Sequence, residues 1–115
     1  ELHAQSLQAP ALTGLRVVEL GQLVAGAQCS AYLAGFGAEV LKVEAPVGDA
    51  LRGWRVCVDG TSLWWSSLAR GKSSLVLDLH ALAQRQLLLD WIAAAKIDVL
   101  VENFRPGRLE EWGLG

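Results

Sequence analysis

The residues best suited to chemistry are basic side chains and glycines set at turns. Gly21 to Gly26, read GQLVAG, follows a short β-branched run and precedes a stretch of small, helix-permissive residues. At such a strand-to-helix turn, backbone N–H groups can meet a phosphate. The same glycines also suit a tight turn packed close to its neighbours, and the sequence leaves both readings open. The turn lacks the middle glycine of G-x-G-x-x-G and the Lys-Ser/Thr of a P-loop. Glu44 ends a second β-branched run where a ribose-binding acid would stand, but without those glycines a nicotinamide dinucleotide is the lesser reading. Arg70 and Lys72 straddle Gly71 just before a predicted strand, while Arg105 and Arg108 straddle Pro106-Gly107 just after one. Such donors near the ligand edge of an α/β sheet suit an anion.

No other chemistry assembles. Asp49, Asp59, Asp78, Asp90 and Asp98 are scattered without an evident base, and neither a nucleophilic triad nor an acid–base pair is legible. His80 reads as a capping or surface residue, and Trp54, Trp64 and Trp65 as packing anchors of a loop. Cys29 and Cys57 lack metal-ligand spacing, with only His3 and His80 as nitrogen companions. They read as two buried, reduced thiols, and no metal is expected.

The elements that must position these residues follow from periodicity. Residues 15–20 (LRVVEL), 40–44 (VLKVE), 74–78 (SLVLD) and 97–102 (IDVLVE) read as strands. Residues 25–36 read as a helix whose Ala27, Ala31 and Gly35 recur every four positions, a face able to lie close to a sheet, with Gly37 as its left-handed end. Residues 81–95 form an amphipathic helix with Leu88, Ile92 and Ala95 on one stripe. A long loop spans 45–62, and 63–69 supplies one or two helical turns. Strands alternating with crossover helices predict an α/β class, a Rossmann-like parallel sheet with helices on both faces and right-handed crossovers. Ligands then bind at the carboxyl ends of the strands.

The 115 residues are 52% hydrophobic and 19% charged, enough for one core and against disorder. No stretch approaches the roughly 18 apolar residues of a membrane span, and no signal peptide is legible, so no membrane partner and a cytoplasmic location are expected. A net charge of −2 offers no field for nucleic acid. Residues 1–11 read as a lead-in or linker. The absence of any methionine, with a start at Glu1 and an end at Gly115, reads as a fragment of something longer.

Four words in order, LTGLRVVELGQLVAG (12–26), GFGAEVLKVEAPVGDALRGW (35–54), RGKSSLVLDL (70–79) and IDVLVENFRPGRLEEWGLG (97–115), resemble the family III CoA-transferases, the CaiB/BaiF family. The resemblance covers nearly everything after residue 11. It implies that 12–115 is the N-terminal, CoA-binding portion of a larger Rossmann-like domain, in a homodimer of two interlocked chains. It further implies transfer of coenzyme A between acyl-CoA and carboxylic acid substrates through an anhydride on an aspartate beyond the matched stretch, so no residue here is assigned as catalytic. By the same resemblance the CoA cradle falls on Val24 and Ala25, on Leu77, Asp78, Leu79 and His80, and on Asn103, Phe104 and Arg105. Val24 stands where some transferases have Gln, Ala45 where some have Arg, and Glu111 at a basic position, which leaves Lys72, Arg105 or Arg108 to supply the charge. The α-methylacyl-CoA racemases share the fold and are the alternative; a noncatalytic domain or part of a tandem fusion is the third reading.

Overall fold

The computed structural model describes residues 10–115, so the lead-in expected over 1–11 lies almost wholly outside the described residues. β1 (Arg16–Glu19), β2 (Glu39–Glu44), β5 (Lys72–Val76) and β6 (Val99–Val101) form one parallel sheet in the order β5-β2-β1-β6. β3 (Cys57–Val58) and β4 (Thr61–Ser62) make a small antiparallel hairpin. The helices are α1 (Ala25–Gly35), α2 (Leu63–Leu68), α3 (Leu82–Ala94) and α4 (Arg108–Glu111). Strand order reverses between β1 and β6, so the chain leaves the carboxyl ends of these neighbours in different directions and opens a crevice there.

β1 and β2 lie in the middle of the sheet, and most of their side chains are buried, on both faces. Two-residue alternation sends Val17 and Val40 to one face, where they pack with Ala38, Leu12, Leu15, Leu33 and Ala34 on the α1 side. Val18 and Val43 point to the other, meeting Leu77, Leu79 and Leu88 with Trp91 and Ile92 of α3 and Leu109 of α4.

Several boundaries and faces differ from the sequence expectation for local reasons. β5 starts at Lys72 rather than at residue 74, because β2 offers it a full ladder from Val40↔Lys72 to Glu44↔Val76. Leu77 and Asp78 therefore lie just past the strand. β6 contracts to three residues, since Asp98 turns its carboxylate onto the Arg16 N–H (2.9 Å). On α1 the buried residues are Gly26, Ala27 and Ser30, with Gly35 exposed: a strict four-residue stripe drifts off a 3.6-residue contact face, whereas positions 27, 30 and 34 stay on it. Gly37 ends the helix with φ of 104°, as expected of it. The long loop is more ordered than its composition suggests. It holds a 3-10 turn at Ala50–Gly53 and the β3–β4 hairpin, whose Asp59-Gly60 turn has φ of 52° and 81°. Cys57 sits on that hairpin and Cys29 on the outer side of α1. Both thiols are free and exposed, which corrects the expectation that they are buried.

Among the described residues no helix is long and apolar enough to cross a membrane. Among the described residues both edges of the sheet are open, with Leu75 and Val76 exposed on β5 and Leu100 on β6, and α3 shows Leu82 and Leu87 to solvent. Unpaired edges with apolar side chains template association. The 115-residue chain is therefore expected to self-associate at micromolar concentration, with charged substitutions V76K and L87K driving it toward monomer. Light scattering that gives a monomer for the unsubstituted chain, with no binding of a hydrophobic dye, contradicts this.

Candidate functional site

On the α1 face of the sheet, alternation places Glu19, Lys42, Glu44 and Ser74 at the carboxyl half, beyond the valines, and the side chain of Lys72, which starts level with Val40, reaches Glu19. The small side chains of α1 leave room there for two lysine stems. Lys42 Nζ lies 2.6 Å from Glu19 Oε2 and 2.7 Å from Asp49 Oδ2, with all three side chains almost fully buried. Lys72 Nζ meets Glu19 Oε1 at 2.6 Å and donates to the Ala27 carbonyl at 2.9 Å. Beside them Glu44 accepts both donors of the Arg52 fork (2.7 Å each), the Asp49 N–H (3.0 Å) and the Ser74 hydroxyl.

Protonation follows the partners. Burial pushes the Lys42 ammonium down, but hydrogen bonds to Asp49 and Glu19 outweigh it and the pKa is raised. Burial also lowers Lys72, and with one carboxylate and the repulsion of Lys42 beside it the net shift is downward. The Arg52 fork, opposed by burial and helped by Ser74 and the Asp49 N–H, lowers Glu44 to about 2.

Two adjoining hollows open at the carboxyl edge above this network. The first is a cleft of about 190 Å³ between the ends of β1, β2 and β5. Leu20, Leu77, Leu79, Phe104 and Trp112 make it largely apolar, and its polar lining includes Glu44, Asp49, Asp78, His80 and Arg108. His80 and Phe104 both meet the Trp112 ring edge-on, at 5.4 Å. The second is an open groove of about 600 Å³ over the β1–β6 crevice, between residues 22–25, Trp54, and the segment carrying Asn103, Phe104, Arg105 and Arg108. Asn103 closes the crevice floor: its Oδ1 accepts the Gln22 N–H (2.9 Å) and its Nδ2 donates to the Gln22 carbonyl (2.8 Å). A Cβ at residue 21 would lie 1.8 Å from that Oδ1, so the position requires glycine. α1 opens onto the groove at Val24 with no side-chain cap and no acidic residue in its first turn, leaving its N–H groups and positive dipole end available to an anion. Arg105 is exposed, with no ion pair among the described residues. Arg108 leans over Trp112, 5.4 Å from the ring centroid, and is 3.9 Å from Glu111.

The expected cradle residues thus divide between the two hollows. Val24, Ala25, Asn103 and Arg105 line the groove, Leu77, Asp78, Leu79 and His80 line the cleft, and Phe104 lines both. Lys72 lines neither. It starts β5 at the opposite edge of the sheet and its ammonium is engaged with Glu19, so the charge available to an anion comes from Arg105 and Arg108. Asp49 is not a scattered carboxylate: it ties Lys42, Leu51 and Leu23 together. The sequence reading misses the network of Glu19, Lys42, Asp49 and Arg52. Its signal is a charged residue inside each of two apolar strands, at alternating positions of one face.

Residues 12–115 match the profile of CoA-transferase family III. The chain is 49% identical over 106 residues to succinyl-CoA–D-citramalate CoA-transferase of Chloroflexus aurantiacus, covering 90% of this chain and 26% of that protein. It is 41% identical over 105 residues to formyl-CoA:oxalate CoA-transferase of Bradyrhizobium diazoefficiens, with 90% and 24% covered. Among solved structures it superposes on a CaiB/BaiF family protein from Brucella suis with a TM-score of 0.82 at 36% identity, covering 94% of this chain and 29% of the other. The chain spans about a quarter of the length of these curated relatives.

The Glu44 pKa makes a prediction about stability. A carboxyl whose folded pKa lies below its ordinary 4.5 contributes stability that is fully present above that value and lost as pH falls toward 2. Denaturation profiles of the wild-type chain should lose stability over this window, and E44Q, less stable at neutral pH, should show a shallower loss. Parallel pH dependence of the two proteins would contradict the assignment.

Proposed function

Since the chain belongs to CoA-transferase family III, we propose that residues 12–115 form the CoA-binding portion of an acyl-CoA:carboxylate CoA-transferase, an enzyme that moves CoA between carboxylic acids. The observation that carries this reading is the groove at the strand-order reversal, where an uncapped helix start and two arginines converge without a carboxylate in the helix's first turn. A polyphosphate chain suits that arrangement: the Val24–Ala25 turn offers backbone N–H groups, Arg105 a forked cationic donor, and Arg108 a second one at the border of the cleft. The adjoining apolar cleft with its aromatic wall suits the flat base of the same nucleotide. Asn103, pinned to Gln22, keeps the two loops at the spacing this requires.

The CoA-transferase activities of the relatives favour the transferase over the racemase. On this reading the acyl anhydride step belongs to an aspartate outside residues 12–115, and the task of these residues is to bind and orient CoA. An interlocked homodimer and a cytoplasmic location complete the proposal for the whole enzyme. Titration calorimetry of the 115-residue chain with CoA tests it. R105A should weaken binding by roughly ten- to hundredfold, the ~1.5–3 kcal/mol of a charge-assisted hydrogen bond. R108A should cost less, because that guanidinium is shared with Trp112 and Glu111, and R70A, an exposed position away from both hollows, should cost nothing. Equal affinities for all three would remove the phosphates from the groove. No CoA transfer by the 115-residue chain alone is expected; turnover above background would overturn the division of labour.

A further inference from the structure

Both walls of the groove are anchored to one buried carboxylate. Asp49 is 4% exposed. Its Oδ1 accepts the N–H of Leu23 (3.1 Å) and of Leu51 (2.9 Å), and its Oδ2 meets the Lys42 ammonium at 2.7 Å. Leu23 lines one side of the groove. Leu51 belongs to the 3-10 turn that Asp49 caps and that delivers Trp54, its closing residue, to the other side. Lys42 in turn is fixed to Glu19 at the end of β1. From this geometry we infer that Asp49 is the positioning residue of the groove, setting the separation of Leu23 and Trp54 and hence the groove's fit to CoA; the inference rests on the CoA reading above.

The backbone shows why a tether is needed. Leu23 has φ of 61°, the left-handed region that a non-glycine side chain rarely adopts. Left to itself the residue would return to negative φ and carry the adjacent Val24–Ala25 turn, where α1 begins, with it. A neutral acceptor would hold the Leu23 N–H more weakly. An ionised one, itself fixed by Lys42, holds it with a charge-assisted bond. Asp49 borders the cleft but is buried, with its oxygens turned to Lys42, Leu23 and Leu51, so its effect on CoA passes through Leu23 and Trp54.

The test is CoA affinity of the full 115-residue chain by calorimetry, with amide hydrogen exchange at Leu23 as a readout that needs no ligand. D49A should weaken CoA by roughly tenfold or more and speed exchange at Leu23; D49N, which keeps an acceptor but no charge, should fall between D49A and wild type. D90N, on the outer face of α3, is the control and should change neither. Asparagine tolerates left-handed φ better than leucine, so L23N introduced into D49A should recover about threefold or more of the lost affinity, a rescue that a general loss of stability would not give. Should D49A fail to fold, D49N and its L23N double variant carry the same comparison. Wild-type binding of CoA that D49A or D49N leaves within about twofold, or unchanged Leu23 exchange, overturns the positioning role alone. Absence of CoA binding by the wild-type chain overturns the CoA reading and the positioning role with it.

Discussion

The ammonium of Lys42, buried between Glu19 and Asp49, is the constraint on which the carboxyl edge of this sheet depends. It joins the ends of β1 and β2 to the loop that follows β2 through two contacts of 2.6 and 2.7 Å. Together with Lys72, Arg52 and Glu44 the cluster holds three acids and three bases, so it is neutral as a unit. Neutrality makes its burial tolerable. Deleting one member of such a buried set typically costs about 3–5 kcal/mol, because a charge is left without a partner, whereas an apolar cluster of the same volume could be as stable. The ions therefore supply direction rather than net stability. Each carboxylate oxygen has a designated cationic or N–H partner, and the loops that carry these groups have one arrangement.

That arrangement explains how a groove built from loops can be rigid. The loop after β1 is held at Gln22 by both polar atoms of Asn103 and at Leu23 by Asp49. Each hold exacts a local conformation: a glycine at 21 where no Cβ fits, and a positive φ at 23. Glu44 performs the matching service for the loop after β2, taking the Asp49 N–H and the Arg52 fork. Arg52 then lies 3.9 Å over the Trp65 ring and Trp54 packs edge-on against Trp64, so the aromatic loop is moored to the same network. Polar groups placed on rigid strand ends thus reach the ligand edge through one short step each.

The parallel sheet and the two crossover helices were legible because β-branched runs alternate with helical stretches at crossover length. Arg105 and Arg108 were legible for a similar reason, standing just after a predicted strand. Periodicity does not reveal what a charged residue inside an apolar strand is paired with. Lys72 looked like an anion ligand from its neighbours in sequence, yet register with β2 turns it onto the α1 face, where Glu19 awaits it. Asp49 looked isolated because its partners lie 7 and 26 residues back along the chain, at Lys42 and Leu23. The exposure of Cys29 and Cys57 escaped composition for the same reason: thiols are usually buried, and only the packing of α1 and the β3–β4 hairpin decides otherwise.

On the proposed reading CoA lies along the β1–β6 crevice with its phosphates at the start of α1. Backbone amide shifts of the isotopically labelled chain, followed by NMR as CoA is added, test this most directly. The largest, saturable changes are expected at Val24, Ala25, Asn103 and Arg105, with smaller ones at Leu79 and His80 in the adjoining cleft. Changes concentrated at the amino edge of the sheet, around Arg16, Glu39 and Gly71, with the groove amides unmoved, would contradict it.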